Sequence, residues 1–202
     1  MKLFKRLTAF TLIELLVVIS IIAILASLAL PAITGALARG QMTQSLSNMK
    51  QLHLVAQQIA NDGTTSGDTN FAWPGDLPTK TWAAWVSIVT NGYMTPADLA
   101  KMCSAPGIIA NSGTIGASTA PATRAVVVYQ AADTNDSSVI IFSSSNFTNP
   151  VTGVGTPPVA AGKPFGNKGF VVFRKGGDGA VLQANQATNT NLVGGTTGCL
   201  PL

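Results

Sequence analysis

Histidine and glutamate each occur once in 202 residues, cysteine occurs twice, and only 10% of the chain is charged. A single histidine leaves little material for acid–base or metal chemistry. His53 has no thiol or carboxylate close to it in sequence and falls in an apolar helical stripe, so it reads as a packed core residue. The GxSxG, HExxH, phosphate-loop and dinucleotide fingerprints are missing, and with them the nucleophile, zinc or nucleotide that those motifs position. The expectation is a protein that is not an enzyme. Cys103 and Cys199 have neither CxxC redox spacing nor the paired spacing of a zinc site. No cluster of Lys and Arg is interleaved with aromatics, which argues against nucleic acid as a partner.

What the chain does have is one long apolar run, FTLIELLVVISIIAILASLALPAI at residues 10–33, with Glu14 near its start. No other charge appears until Arg39. As an α-helix, residues 10–30 would span ~31 Å, close to the ~30 Å hydrocarbon core of a bilayer. Lys2, Lys5 and Arg6 precede the run, and the positive-inside bias keeps such residues in the cytoplasm. The run is therefore expected to cross the membrane once, with the remainder outside. It is too long for a cleaved secretory signal, although Ala26, Ser27 and Ala29 could mimic a cleavage site. A plain anchor gives Glu14 no use, since an acidic side chain at depth costs about 2.5–3.5 kcal/mol. Near a helix end that cost falls, so the residues alone leave an anchor open.

Residues 5–25, KRLTAFTLIELLVVISIIAIL, resemble the leader and methylated N-terminus of type IV pilins and type II secretion pseudopilins. The resemblance implies cleavage by a prepilin peptidase between Ala9 and Phe10, N-methylation of Phe10, and an assembly role for Glu14 as the fifth residue of the mature chain. It implies that Glu14 pairs with the free amine of Phe10 on an adjacent subunit. A misregistered subunit would leave both charges unpaired in lipid, so the pair would select register as well as add affinity. Pro31 falls where the family places a helix-kinking proline. The residue before the cut is usually Gly in that family and is Ala9 here, the next smallest side chain, so processing is expected to continue, at a lower or adequate rate. The implied partners are homologous pilin or pseudopilin subunits, the peptidase, an inner-membrane assembly platform and membrane lipid. The implied location is the bacterial inner membrane, single-pass, with a periplasmic C-terminal domain and a filament or the cell surface after assembly. Loss of Lys2, Lys5 and Arg6 with the leader would remove most of the +4 formal charge, so the pI of about 9.3 reports targeting residues.

The remaining chain divides on this reading into a leader at 1–9, a transmembrane half-helix at 10–30, an amphipathic half-helix at 31–62 and a globular domain at 63–202. Pro31, Gly35 and Gly40 predict a kink or local melting. Met42, Leu46, Met49, Leu52, His53, Ala56 and Ala60 then form one stripe, with Gln44, Ser47, Gln51 and Gln58 opposite. Residues 61–63 (Asn-Asp-Gly) predict the helix end, with Gly63 as a left-handed cap. A loop follows to residue 81. Residues 81–90 predict a short helix that packs Trp82, Trp85, Val86 and Val89 into the core rather than along a ligand groove. Thr95 and Pro96 open another, as N-cap and first helical residue.

Residues 104–123 read as a surface loop. Strands are predicted at 125–130, 138–143, 169–174 and 180–183, as two antiparallel hairpins, with 144–168 lacking regular structure. The fold class is α+β and pilin-like: a long kinked N-terminal helix packed on a small antiparallel sheet with extended loops.

Asp133, Asn135 and Asp136 are weak calcium candidates, because calcium wants several oxygen ligands and some major pseudopilins hold it in a C-terminal loop. The stretch lacks the glycine and distal glutamate of an EF-hand and equally fits a hairpin turn, so no cofactor is the first expectation. Outside the cytoplasm Cys103 and Cys199 could pair. The bridge would close a loop of roughly 95 residues and stabilise by about 4.7 kcal/mol in the chain-entropy model, less native strain. Two function classes share this N-terminus: a structural pseudopilin of a type II secretion filament, and a minor type IV pilin with an adhesive or DNA-binding domain.

Overall fold

The computed structural model describes residues 10–116, 123–148, 159–160, 162–193 and 200–202. The chain divides into two units, Met1–Ala38 and Arg39–Leu202. One helix, α1 (Leu12–Ser66), runs through the boundary between them. The expected melting does not occur: α1 is unbroken at Pro31, Gly35 and Gly40. Proline there costs the Ser27 carbonyl its i+4 donor, but the flanking turns keep their ladder, and Thr34 Oγ1 donates to the Pro31 carbonyl at 3.0 Å.

In the second unit α1 buries Met42, Ser45, Met49, Leu52, His53, Ala56, Ile59 and Ala60, while Gln44, Ser47, Gln51 and Gln58 stay exposed. The expected stripe is present, with Leu46 at its half-buried margin and Ser45 and Ile59 added. The helix ends later than predicted. Gly63 is not its cap: a Cβ there would run into the Phe71 carbonyl, so this glycine lets the returning chain cross close to the helix. The left-handed role passes to Gly67 at φ 71°, whose N–H donates to the Gly63 carbonyl at 2.9 Å.

Two short helices follow. In α2 (Trp82–Thr90), Thr81 caps the first turn by accepting from the Ala84 N–H, and Trp82, Trp85, Val86 and Val89 are buried. In α3 (Pro96–Met102), Thr95 accepts from the Asp98 N–H and Pro96 occupies the first position, where no donor is needed. Both tryptophans belong to the core, with Trp85 6.2 Å from the Phe142 ring. The loop after α3 is less superficial than expected, because Ile108, Ala110 and Ile115 are buried and the Ile115 carbonyl accepts from Trp82 Nε1.

The sheet contains β1 (Val126–Val128), β2 (Ile140–Ser144), β5 (Phe170–Arg174) and β6 (Gly179–Leu182) in the antiparallel order β1-β2-β5-β6. Val127 pairs with Ser143, Ser143 with Val172, and Val172 with Ala180. β1 and β2 are buried at every position, so both faces of these two strands are covered and the usual alternation is absent. Buried serines find partners: Tyr129 Oη lies 3.0 Å from Ser143 Oγ, and Ser144 Oγ accepts from the Val171 N–H at 3.0 Å. Residues 144–168 hold more structure than their Pro/Gly content suggests. β3 (Phe147–Thr148) and β4 (Val159–Ala160) pair as a two-stranded ribbon, and Phe147 stacks on Phe170 at 4.7 Å. A last short helix, α4, spans Thr190–Val193, and residues 200–202 lie along β1 through a Tyr129–Pro201 bridge.

The second half of α1 meets the β5–β6 hairpin through small residues on the sheet side. A Cβ on Gly179 would overlap both the Leu46 side chain and the Phe173 ring, and one on Gly169 would press on Met42 Sδ. Glycine at these points lets the helix approach a bulky aromatic strand.

Candidate assembly site

The first unit carries the features that the N-terminal run predicts. From Leu12 to Leu37 its large apolar side chains are exposed on every side, Leu25 at 62%. Leaving one such side chain in water forgoes about 1.5–3 kcal/mol, so a helix that is apolar all round requires lipid or other helices as surroundings. Among the described residues, α1 is the helix long and apolar enough to cross a membrane. Its polar side chains are satisfied locally: Ser20 Oγ donates to the Leu16 carbonyl at 2.8 Å and Ser27 Oγ to the Ile24 carbonyl at 2.8 Å.

Glu14 sits in a capping box. Its Oε2 accepts from the Thr11 N–H at 2.8 Å and from Thr11 Oγ1 at 2.7 Å, while the Glu14 N–H donates to Thr11 Oγ1 at 3.3 Å. The carboxylate is thereby held over the helix N-terminus, where the macrodipole favours negative charge. The spacing Thr11-x-x-Glu14 in the sequence already fits a capping box. Phe10 is described and largely exposed, whereas Ala9 lies outside the described residues.

The other described candidate residues lie in the second unit. His53 is buried, with ring centroids 5.2 Å from Phe173 and 5.8 Å from Trp73, and its Nδ1 has no hydrogen-bond partner among the described residues. Burial holds its pKa below the ordinary value. Cys103 is buried, and burial pushes its thiol pKa up to about 12 despite the nearby Arg124. Cys199 lies outside the described residues. No local sequence pattern marks Arg124. It is buried, stacks 3.8 Å from the Trp82 ring centroid, and donates from Nη2 to the Leu202 carbonyl at 3.0 Å.

Asp133, Asn135 and Asp136 lie in the loop between β1 and β2, where several polar atoms are engaged locally. The Ala132 N–H donates to Asn135 Oδ1 at 2.6 Å, the Ser138 N–H to Asp136 Oδ1 at 2.8 Å, and the Asp133 N–H to Asp76 Oδ2 at 2.6 Å. The backbone bond from Ser138 holds the Asp136 carboxyl below its usual range. The Asp133 and Asn135 carbonyls accept from Lys175 Nζ. No group of three or more His, Cys, Asp or Glu is placed to hold a metal among the described residues.

No curated protein and no solved structure matches the chain significantly. A family match covers the N-terminal segment, where an apolar helix suited to membrane insertion begins in a carboxylate-bearing cap. At residues 5–30 the chain carries the prokaryotic N-terminal methylation motif, the signature of type IV pilins and pseudopilins.

Proposed function

We propose that this protein is a structural subunit of a type II secretion pseudopilin filament. It enters the inner membrane through α1, is cut by the prepilin peptidase between Ala9 and Phe10, and polymerises by packing the exposed half of α1 against copies of itself. The observation that carries this reading is the exposed apolar surface from Leu12 to Leu37, bearing one carboxylate whose partners come from its own first turn. In the assembled state Glu14 exchanges or shares its Thr11 contacts with the methylated Phe10 amine of a neighbour, which neutralises both groups in lipid. The second unit is the surface presented outside the membrane, without enzymatic activity and without nucleic acid as a partner. A Cys103–Cys199 bridge belongs to the same reading, because that unit would mature in an oxidising compartment.

Mass spectrometry of membrane-extracted protein is expected to show a chain beginning at N-methylated Phe10, and an intact Met1 would overturn the processing step. Glu14→Ala is expected to leave insertion and cleavage intact and to abolish incorporation into filaments; normal filaments would refute the pairing role. Non-reducing peptide mapping of exported protein is expected to recover the Cys103 and Cys199 peptides joined, and free thiols would remove the bridge.

A further inference from the structure

Lys175, in the β5–β6 turn, has a side chain only 13% exposed. An ammonium seldom withdraws that far from water unless its charge is matched. Here Nζ donates to the Asp133 carbonyl, and to the Asn135 carbonyl at 3.0 Å, with Asp133 Oδ1 3.8 Å away. The Trp73 ring closes another side, 5.6 Å from Nζ to its centroid, within reach of a cation–π attraction. The stem is delivered from fixed backbone, because the Lys175 N–H donates to the Val139 carbonyl and the Gly176 N–H to the Ser137 carbonyl, both at 2.8 Å.

We propose that residues 132–136 and Trp73 form a cation-binding nest for a primary ammonium, and that the chain fills it in cis with Lys175. Of the three ammonium donors, two are taken by carbonyls, and one carboxylate oxygen stands at ion-pair distance, 3.8 Å. A hard divalent ion asks for six to eight oxygens and gains little from an indole face. Asn135 Oδ1 and Asp136 Oδ1 each accept a backbone N–H of the loop, and Asp76 Oδ2, from a separate loop, accepts the Asp133 N–H. Oxygen count and aromatic wall both favour ammonium over calcium. The order of the β1–β2 loop therefore depends on a charge carried by the β5–β6 hairpin, and no free ion is needed.

The test uses the full chain in detergent. Lys175→Met keeps the apolar stem over Trp73 and removes the charge, whereas Lys175→Ala leaves a space shaped like n-propylammonium. Both are expected to lower the melting temperature by roughly 3–12 °C. Millimolar n-propylammonium chloride is expected to restore Lys175→Ala saturably, with no effect on Lys175→Met or wild type. Sodium and tetramethylammonium chlorides are expected to restore neither variant. Unchanged melting of both variants, or a folded Lys175→Ala that n-propylammonium does not restore, would overturn the proposal. So would stabilisation of the wild type by calcium chloride, since Lys175 would then not be the occupant. If Lys175→Ala does not fold, Lys175→Met decides: faster proteolysis within residues 132–138 at unchanged far-ultraviolet dichroism supports the nest, and an unchanged cleavage rate overturns it.

Discussion

The two halves of α1 share a backbone conformation and differ in almost everything else. Between Leu12 and Leu37 every large apolar side chain is exposed. Between Met42 and Ala60 the buried positions recur on one face and polar residues occupy the other. The second half finds its cover within its own chain, in a sheet whose glycines make room for Leu46 and Met42. The first half must find its cover elsewhere. A helix written without a polar face is thus stable here only in lipid or against similar helices, which is the physical content of the methylation-motif signature. Each half also holds one residue type that the rest of the chain does not use: the sole glutamate in the first, the sole histidine in the second.

That contrast can be broken by matched truncations. Leu52 is fully buried, and Leu52→Ala is expected to cost the second unit about 2–5 kcal/mol, read as a lower denaturation midpoint in detergent. Leu25→Ala removes the same atoms from an exposed position and is expected to change that midpoint by no more than about 0.5 kcal/mol. Equal losses would show that the two halves do not have separate surroundings.

A smaller effect sharpens the comparison through His53. Among the described residues, the neighbours of His53 include Trp73, Phe173 and Gly177, none of them anionic, and burial penalises the protonated ring. The folded state favours the neutral imidazole while the unfolded chain protonates near its ordinary pKa of about 6.5. The unfolded state therefore binds more protons as pH falls. Stability is expected to be level in this term above that value and to decline below it, until the folded-state pKa is passed. Denaturant midpoints at pH 7.5 and pH 5 would test this, with His53→Gln expected to lose the histidine part of the decline. An identical decline in both proteins would assign it to the carboxylates instead.

Local chemistry was legible wherever a few adjacent residues settle the outcome. Thr81, Thr95 and Pro96 marked the starts of α2 and α3 because a cap needs only a side-chain oxygen and the next three amides. The glycine-rich turn at 175–179 announced the β5–β6 hairpin, and the span from residue 10 announced a membrane-length helix for the same reason of short range. Range also explains the misses. Gly63 reads as a stop signal until the Phe71 carbonyl is seen passing over it, and β3 and β4 are two residues each, too short to show alternation.

From its residue order alone the chain was committed to an apolar helix headed by Thr11 and Glu14, to an amphipathic continuation, and to two hairpins. Hydrophobic period, caps and turn residues act within a few positions, and no folding is needed to read them. The burial of Arg124 on Trp82, the seat of Lys175 in the β1–β2 loop and the placement of residues 200–202 on β1 came from contacts between segments some 40 to 80 residues apart. Such contacts depend on which surfaces the folded core leaves next to each other, and no local pattern of charge or hydrophobicity encodes that.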